Sequence, residues 1–473
     1  MLSREDVSVY HPRQPQQSTL WKLLDAHYAT FERDYEQTFR KGYGYRRAVV
    51  AYVVRDYLKC GDLREGFARV RCPDCCHEYL LTFSCKGRWF CSSCHAKKVV
   101  QFGDLLGSTI LSPLPHRQYV FTLPKILRVY FRYDRKLLTK LCQCANRCLH
   151  RYFKAALNAK TSQLGTVTAI QIFGDYGRWH PHLHLLVADG LFMPNGSFHV
   201  MPDLGLKPLQ ELFRDAVLKK LKREGKIDDE FIRMLVQWRH VSGFNIHNGV
   251  KIDRRDNNGR EALAQYIIRS SFALEKMQYI EDSGTVIYRS KMGHGKNKRN
   301  FEIFSTEEFI ARITQHIPEK SFQLVRYYGW YSNRARGDSK KKTAKDSTDI
   351  TSAATEVLIL TEPPQKKIPS KTWRECIKKV WEVDPLACPK CGGEMKLVSF
   401  IDEPLLVRRI LEHLDLWQEC LPKGLPPPQH HEDMVEGVSA KRLTTGGVVT
   451  TKQGARCTDG RRGHVLDTCP RQR

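Results

Sequence analysis

The sequence has no apolar run approaching 18 residues, and no apolar stretch follows the charged N-terminus MLSREDVSVYHPRQPQQ. Neither a membrane span nor a secretory signal is expected, which points to a cytoplasmic chain. Acidic residues are scarce: 51 Asp and Glu face 77 Lys and Arg, a formal charge of +26 and a pI near 9.5. Such a surplus calls for a polyanionic partner, nucleic acid first. No internal repeat is evident, so a solenoid is excluded. What remains is ordinary for a folded protein, with 41% hydrophobic and 27% charged residues. The 473 residues suffice for about two to four domains.

Cysteine, by contrast, is abundant at 16 residues, which in a reducing compartment points to metal binding. Three CxxC pairs stand out: Cys72 with Cys75, Cys91 with Cys94, and Cys388 with Cys391. The first two are separated by fifteen residues, a spacing that lets four thiolates from two knuckles converge on one Zn²⁺. Cys72, Cys75, Cys91 and Cys94 are the expected ligands, with Cys85, Cys76, His77 and His95 as substitutes. A four-thiolate site has no open position, so the zinc would be structural. The basic residues around it, Arg69, Arg71, Lys86, Arg88, Lys97 and Lys98, suit DNA. Cys388 and Cys391 form half a site, with Cys376, Cys420 or His413 as partners if a metal binds. Cys142, Cys144 and Cys148 read as residues of an ordinary buried helix.

Periodicity divides the rest. Residues 1–62 form a helical entry segment, 63–100 the zinc module, and 101–337 an α+β domain with an antiparallel sheet. A polar linker follows at 338–371, a small module at 372–420, and a tail at 421–473 that reads as disordered. Within the α+β domain QYVFTL, TVTAIQIFGD and HLHLLVADG read as strands, the last two joined through Tyr176-Gly177-Arg178. Helical patterns cover 205–238 and 260–278, the second containing EALAQYIIRSSFALEKM.

The segment GRWHPHLHLLVADG is the most informative. Residues two apart on a strand share a face, so His180, His182 and His184 fall in one line while Leu183, Leu185 and Val187 point the other way into a core. Two imidazoles leave open positions on Mg²⁺ or Mn²⁺ where phosphate oxygens can bind. The third ligand is His180 or Gln171 on the neighbouring strand, and spacing does not choose between them.

These motifs, in this order, resemble the HUH endonucleases, and among them the rolling-circle insertion-sequence transposases of the IS-ninety-one type. The resemblance runs from about 45 to 337 through RCPDC, FCSSCHAKK, HRQYVFTLPK, WHPHLHLLVADG, EALAQYIIRSSF and HIPEKSFQLVRYYGWYSNRARG, with DPLACPKCGG beyond. It implies a nuclease that cuts and rejoins single-stranded DNA at element ends. His182 and His184 would hold the catalytic cation, and Tyr266 would attack the phosphodiester to give a 5′-phosphotyrosine and a free 3′-OH. It also implies residence at the bacterial nucleoid, on single-stranded and double-stranded DNA. Two-tyrosine relatives carry a second Tyr four residues before the first; here that position is Ala262, so a single-tyrosine branch is indicated. Tyr327, Tyr328 and Tyr331 sit among Arg326, Arg334 and Arg336 and read as DNA-binding or structural rather than nucleophilic. Two other functions fit parts of the pattern: a non-catalytic zinc-finger regulator, and a replication initiator or relaxase using the same chemistry.

Overall fold

The computed structural model describes residues 14–87, 89–237, 243–290, 300–342, 357–359 and 373–417. Arg88, Cys420, most of the 338–371 linker and the 421–473 tail lie outside the described residues. Residues 1–425 form one packing unit and 426–473 another, and every described residue belongs to the first.

The architecture is α+β, built around a five-stranded antiparallel sheet. Its order is Val325–Gly329, Gly165–Phe173, Trp179–Ala188, His116–Thr122 and Ile246–Ile252. The strand Trp179–Ala188 is central, with Gln171 opposite His182 on one side and Val120 opposite His184 on the other. Its two faces do different work, as period-two alternation dictates. Leu183, Leu185 and Val187 are buried against the helices Lys125–Tyr133, Lys136–Ala156 and Lys207–Arg223. Cys142, Cys144 and Cys148 lie in that core, on the second of these helices.

The opposite face carries His182, His184, Leu186 and Ala188, and is covered by the helix Ser92–Leu105, a π-turn at Leu106–Ile110 and the helix Asn257–Ile267. Asp256 caps the last of these by accepting from the Gly259 N–H at 2.7 Å. Gly103 lies at a close approach of the two helices: a Cβ there would stand 2.9 Å from Gln265 Cγ, so a larger residue would make that side chain shift.

A third cluster joins the N-terminal helices Thr19–Thr38 and Ala48–Leu58 to the helix Thr306–Thr314 and the sheet Met277–Ile280, Thr285–Arg289 and Phe301–Ser305. On Thr19–Thr38, Leu20, Leu23, Leu24, Tyr28, Phe31 and Tyr35 are buried at helical spacing.

Three differences from the sequence reading stand out. The helix expected over 260–278 stops at Ile267, and Met277–Ile280 is a strand. Ile267, Ile268, Ser270 and Ser271 are weak helix formers, and neighbouring side chains capture the freed carbonyls. Within the linker, the helix Asn333–Lys342 continues past 337 and Val357–Ile359 pairs with Ser197–Val200. Finally, the module expected at 372–420 is not separate. Its strand Lys396–Ile401 pairs with Phe67–Arg71, which also pairs with Glu78–Thr82, making one three-stranded sheet from both ends of the described chain.

Candidate active site and metal centres

The three histidines form a row. Ring centroids are 5.0 Å apart for His180 and His182, and 4.9 Å for His182 and His184. Burial, reinforced by nearby arginines, lowers His180 and His184 to about 3 and His182 to about 4, so all three are neutral with lone pairs available. The His182 Nδ1–H donates to the His180 carbonyl at 2.8 Å, which leaves Nε2 as the ligand atom. The Gln118 Nε2–H donates to His184 Nδ1 at 2.8 Å and fixes the orientation of that imidazole. Gln118 gave no signal in the sequence, since a lone Gln on a strand is common.

Three buried polar atoms here lack any hydrogen-bond partner: His180 Nε2, His184 Nε2 and Gln171 Oε1. Orphaned polar atoms on one face of the sheet fit an ion site, because buried polar atoms are otherwise satisfied. Gln171 and His180 both remain candidates for the third position, each with such an atom.

Tyr266 lies in the last turn of its helix and is 44% exposed. Its ring meets His184 edge to face with centroids 5.7 Å apart, and the Arg269 guanidinium carbon is 4.7 Å from its centre. Ala262, one turn earlier, is exposed on the same side. The helix end is held from two directions. The Gln171 Nε2–H donates to the Ile267 carbonyl at 2.9 Å, and the His95 Nε2–H to the Ile268 carbonyl at 2.7 Å while His95 Nδ1 accepts from the Trp89 N–H. These bonds replace the absent next turn.

The expected single zinc site is corrected by the fold. Cys72 and Cys75 do not converge with Cys91 and Cys94; the thiols divide into two groups, Cys60 with Cys85, Cys91 and Cys94, and Cys72 with Cys75, Cys388 and Cys391. In the first group, Cys60 Sγ is 4.0 Å from Cys91 Sγ and 3.9 Å from Cys94 Sγ, and Cys85 Sγ is 3.7 Å from Cys94 Sγ. Four sulfurs about 2.3 Å from one Zn²⁺ stand about 3.8 Å apart. Hydrogen bonds from Cys85 and Cys91 lower Cys60 to about 7, while the same contacts with Cys60, and burial, push Cys85 and Cys91 up. Cys60 belongs to no CxxC pair and was missed for that reason. Of the substitutes considered, Cys85 is in the site; His95 holds the tyrosine helix instead, and Cys76 and His77 belong to neither group.

Residues 325–331 serve the sheet. Tyr331 is fully buried and its hydroxyl donates to His116 Nε2 at 2.7 Å, the imidazole donating from Nδ1 to the Leu114 carbonyl. Tyr327 and Tyr328 are half-buried on the edge strand, where burial pushes their phenols up, Tyr328 to about 12. Arg326 donates to Thr139 Oγ1 at 2.9 Å, Arg336 stands over the Tyr327 ring, and Arg334 is exposed on the following helix.

A family model described as "Putative transposase" (Y2_Tnp) matches residues 165–339, spanning the histidine strand and the tyrosine helix. A second, the "Transposase zinc-binding domain" (Zn_Tnp_IS91), matches residues 30–123. The chain is 25% identical over 369 residues to the "Transposase for insertion sequence element IS801" of Pseudomonas savastanoi pv. phaseolicola, covering 75% of this chain and 85% of that protein. It is 24% identical over 348 residues to the "Putative transposase y4qJ" of Sinorhizobium fredii (strain NBRC 101917 / NGR234), covering 70% and 84%. No solved structure matches significantly. Among the described residues, no helix is long and apolar enough to cross a membrane.

Proposed function

We propose that this chain is a rolling-circle transposase of the IS91 type, which cleaves and rejoins single-stranded DNA at insertion-sequence ends with Tyr266 as nucleophile; the two transposase family models and the similarity to the IS801 transposase support that reading. The observation that carries this reading is the exposed Tyr266 phenol beside a row of neutral imidazoles with orphaned ring nitrogens.

His182 and His184, with Gln171 or His180, would hold a Mg²⁺ or Mn²⁺ ion. Such a cation, when bound, polarises a phosphodiester and neutralises its charge. The phenol oxygen of Tyr266 gives up its proton and attacks phosphorus; the bond to the 3′-oxygen breaks, that oxygen takes a proton, and the 5′ side stays on Tyr266 as a phosphotyrosine. The covalent link conserves the phosphodiester energy, so a 3′-OH can reverse the step and rejoin a strand without ATP. Arg269, stacked on Tyr266, adds positive charge where the phosphate must approach. Gln171 and His95 fix the height of the helix end and so the reach of the phenol.

Double-stranded ends would be gripped by the basic surface. From Lys320 to Lys345, eight Lys and Arg face one acid, Asp338. Within it, Arg334 and Arg336 are better placed for phosphate than the sheet-bound Tyr327 and Tyr328.

The test is incubation of a labelled single-stranded oligonucleotide carrying the element end with the protein and Mn²⁺. An SDS-resistant adduct mapped by mass spectrometry to Tyr266, and absent from Tyr266→Phe and from His182→Ala/His184→Ala, supports the reading. An adduct on Tyr327 or Tyr328 would move the nucleophile. Tight binding to a verified end with no adduct would favour a non-catalytic regulator.

A further inference from the structure

The second thiol group spans the chain. Cys72 Sγ is 3.5 Å from Cys391 Sγ and Cys75 Sγ is 3.4 Å from Cys388 Sγ, with all four sulfurs within 4.8 Å of one another. These contacts are far longer than the roughly 2.05 Å of a disulfide and near the roughly 3.8 Å edge of a zinc–thiolate tetrahedron.

The two loops that supply the thiols share one backbone design. The Cys72 N–H donates to the His77 carbonyl and the Cys76 N–H to the Cys72 carbonyl; in the same places the Cys388 N–H donates to the Gly393 carbonyl and the Gly392 N–H to the Cys388 carbonyl. Cys76 and Gly392, each four residues after the first cysteine of its pair, both have positive φ, 58° and 76°. Two matching knuckles face each other, as a four-thiolate site requires. The apolar core beside them is small: Val70, Cys72, Cys388 and Met395 with Tyr79, Leu81 and Leu386 against them, and a second cluster of Phe67, Val407 and Leu411, the kind of limited core that a structural metal commonly reinforces.

We propose that Cys72, Cys75, Cys388 and Cys391 bind a second structural zinc ion, which clips residues 373–417 onto the N-terminal module and seats the helix Trp373–Trp381 beside the tyrosine helix. The seat is specific. Lys379 Nζ is 3.1 Å from Asp104 on the helix Ser92–Leu105 and also pairs with Glu261 on the tyrosine helix. Lys396–Ile401 adds its strand to Phe67–Arg71, and the Tyr79 hydroxyl donates to the Pro385 carbonyl at 2.6 Å. The inference does not depend on which tyrosine is the nucleophile.

The test is metal content of the full-length protein by inductively coupled plasma mass spectrometry. Two zinc ions per chain are expected in the wild type, one in Cys388→Ser/Cys391→Ser, and one in Cys60→Ser/Cys85→Ser. A second measurement guards against loss of fold: a protease site inserted between residues 343 and 356 is cut in the purified protein. The two fragments should elute together until a chelator is added, and elute apart in the Cys388→Ser/Cys391→Ser background. One zinc in the wild type, two in that double variant, or fragments that stay together in it would each overturn the proposal.

Discussion

The imidazole of His184 meets the ring of Tyr266 edge to face, 5.7 Å between centroids, although one lies mid-strand and the other in the last turn of a helix. The contact is made by the ring, not the hydroxyl. Tyr266→Phe should therefore keep its packing against His184 and Arg269, with thermal stability within about 0.5 kcal/mol of wild type, and form no covalent DNA adduct. A melting curve beside an SDS gel separates these effects. A large loss of stability would show that the hydroxyl is structural.

Gln118 is expected to act through His184. Removing an outer partner of a metal-ligating imidazole weakens metal binding by about 10- to 100-fold. Gln118→Leu should lower Mn²⁺ affinity by that order, read by titration followed by electron paramagnetic resonance with no DNA present. Unchanged affinity would show that His184 is oriented by packing alone.

Tyr331→Phe leaves His116 Nε2 buried without its donor. The cost should be about 1–3 kcal/mol, read from urea unfolding midpoints, while any adduct stays on Tyr266. A neutral outcome would mean that water replaces the hydroxyl.

The buried His316 predicts an acid dependence. Burial lowers its imidazole from 6.5 to about 3, and its Nε2–H donates to the Gly177 carbonyl at 2.8 Å. The unfolded chain takes up a proton below about 6.5 and the folded chain does not, so this group's share of stability is intact above that pH and falls as pH drops toward 3. The limiting slope is about 1.4 kcal/mol per pH unit. His316→Gln should lose stability less steeply than wild type between pH 6.5 and 5 in urea titrations. Parallel curves would place the acid sensitivity elsewhere.

The placement of the histidine row and of the helix bearing Tyr266 was legible because it is local. Alternation along Trp179–Ala188 separated the histidine face from the leucine face, and the tyrosine helix followed from its apolar spacing. The metal centres were not, because a CxxC pair announces a knuckle without naming its partner. Cys72 and Cys75 meet Cys388 and Cys391 through strand pairing across most of the chain, and Cys60 stands outside any motif. Gln118, Gln171 and His95 act through side-chain contacts set by sheet register and helix packing, which no spacing rule encodes.

The pairing of Lys396–Ile401 with Phe67–Arg71 also orders events during synthesis. A ribosome makes the middle strand early and its outer neighbour late, so one edge of Phe67–Arg71 stays open while the histidine strand and the tyrosine helix are made. Open edges invite wrong partners. A message broken before codon 401 would yield a chain that holds the histidine strand and the tyrosine helix yet exposes that edge, leaving truncated copies prone to aggregate or to be degraded.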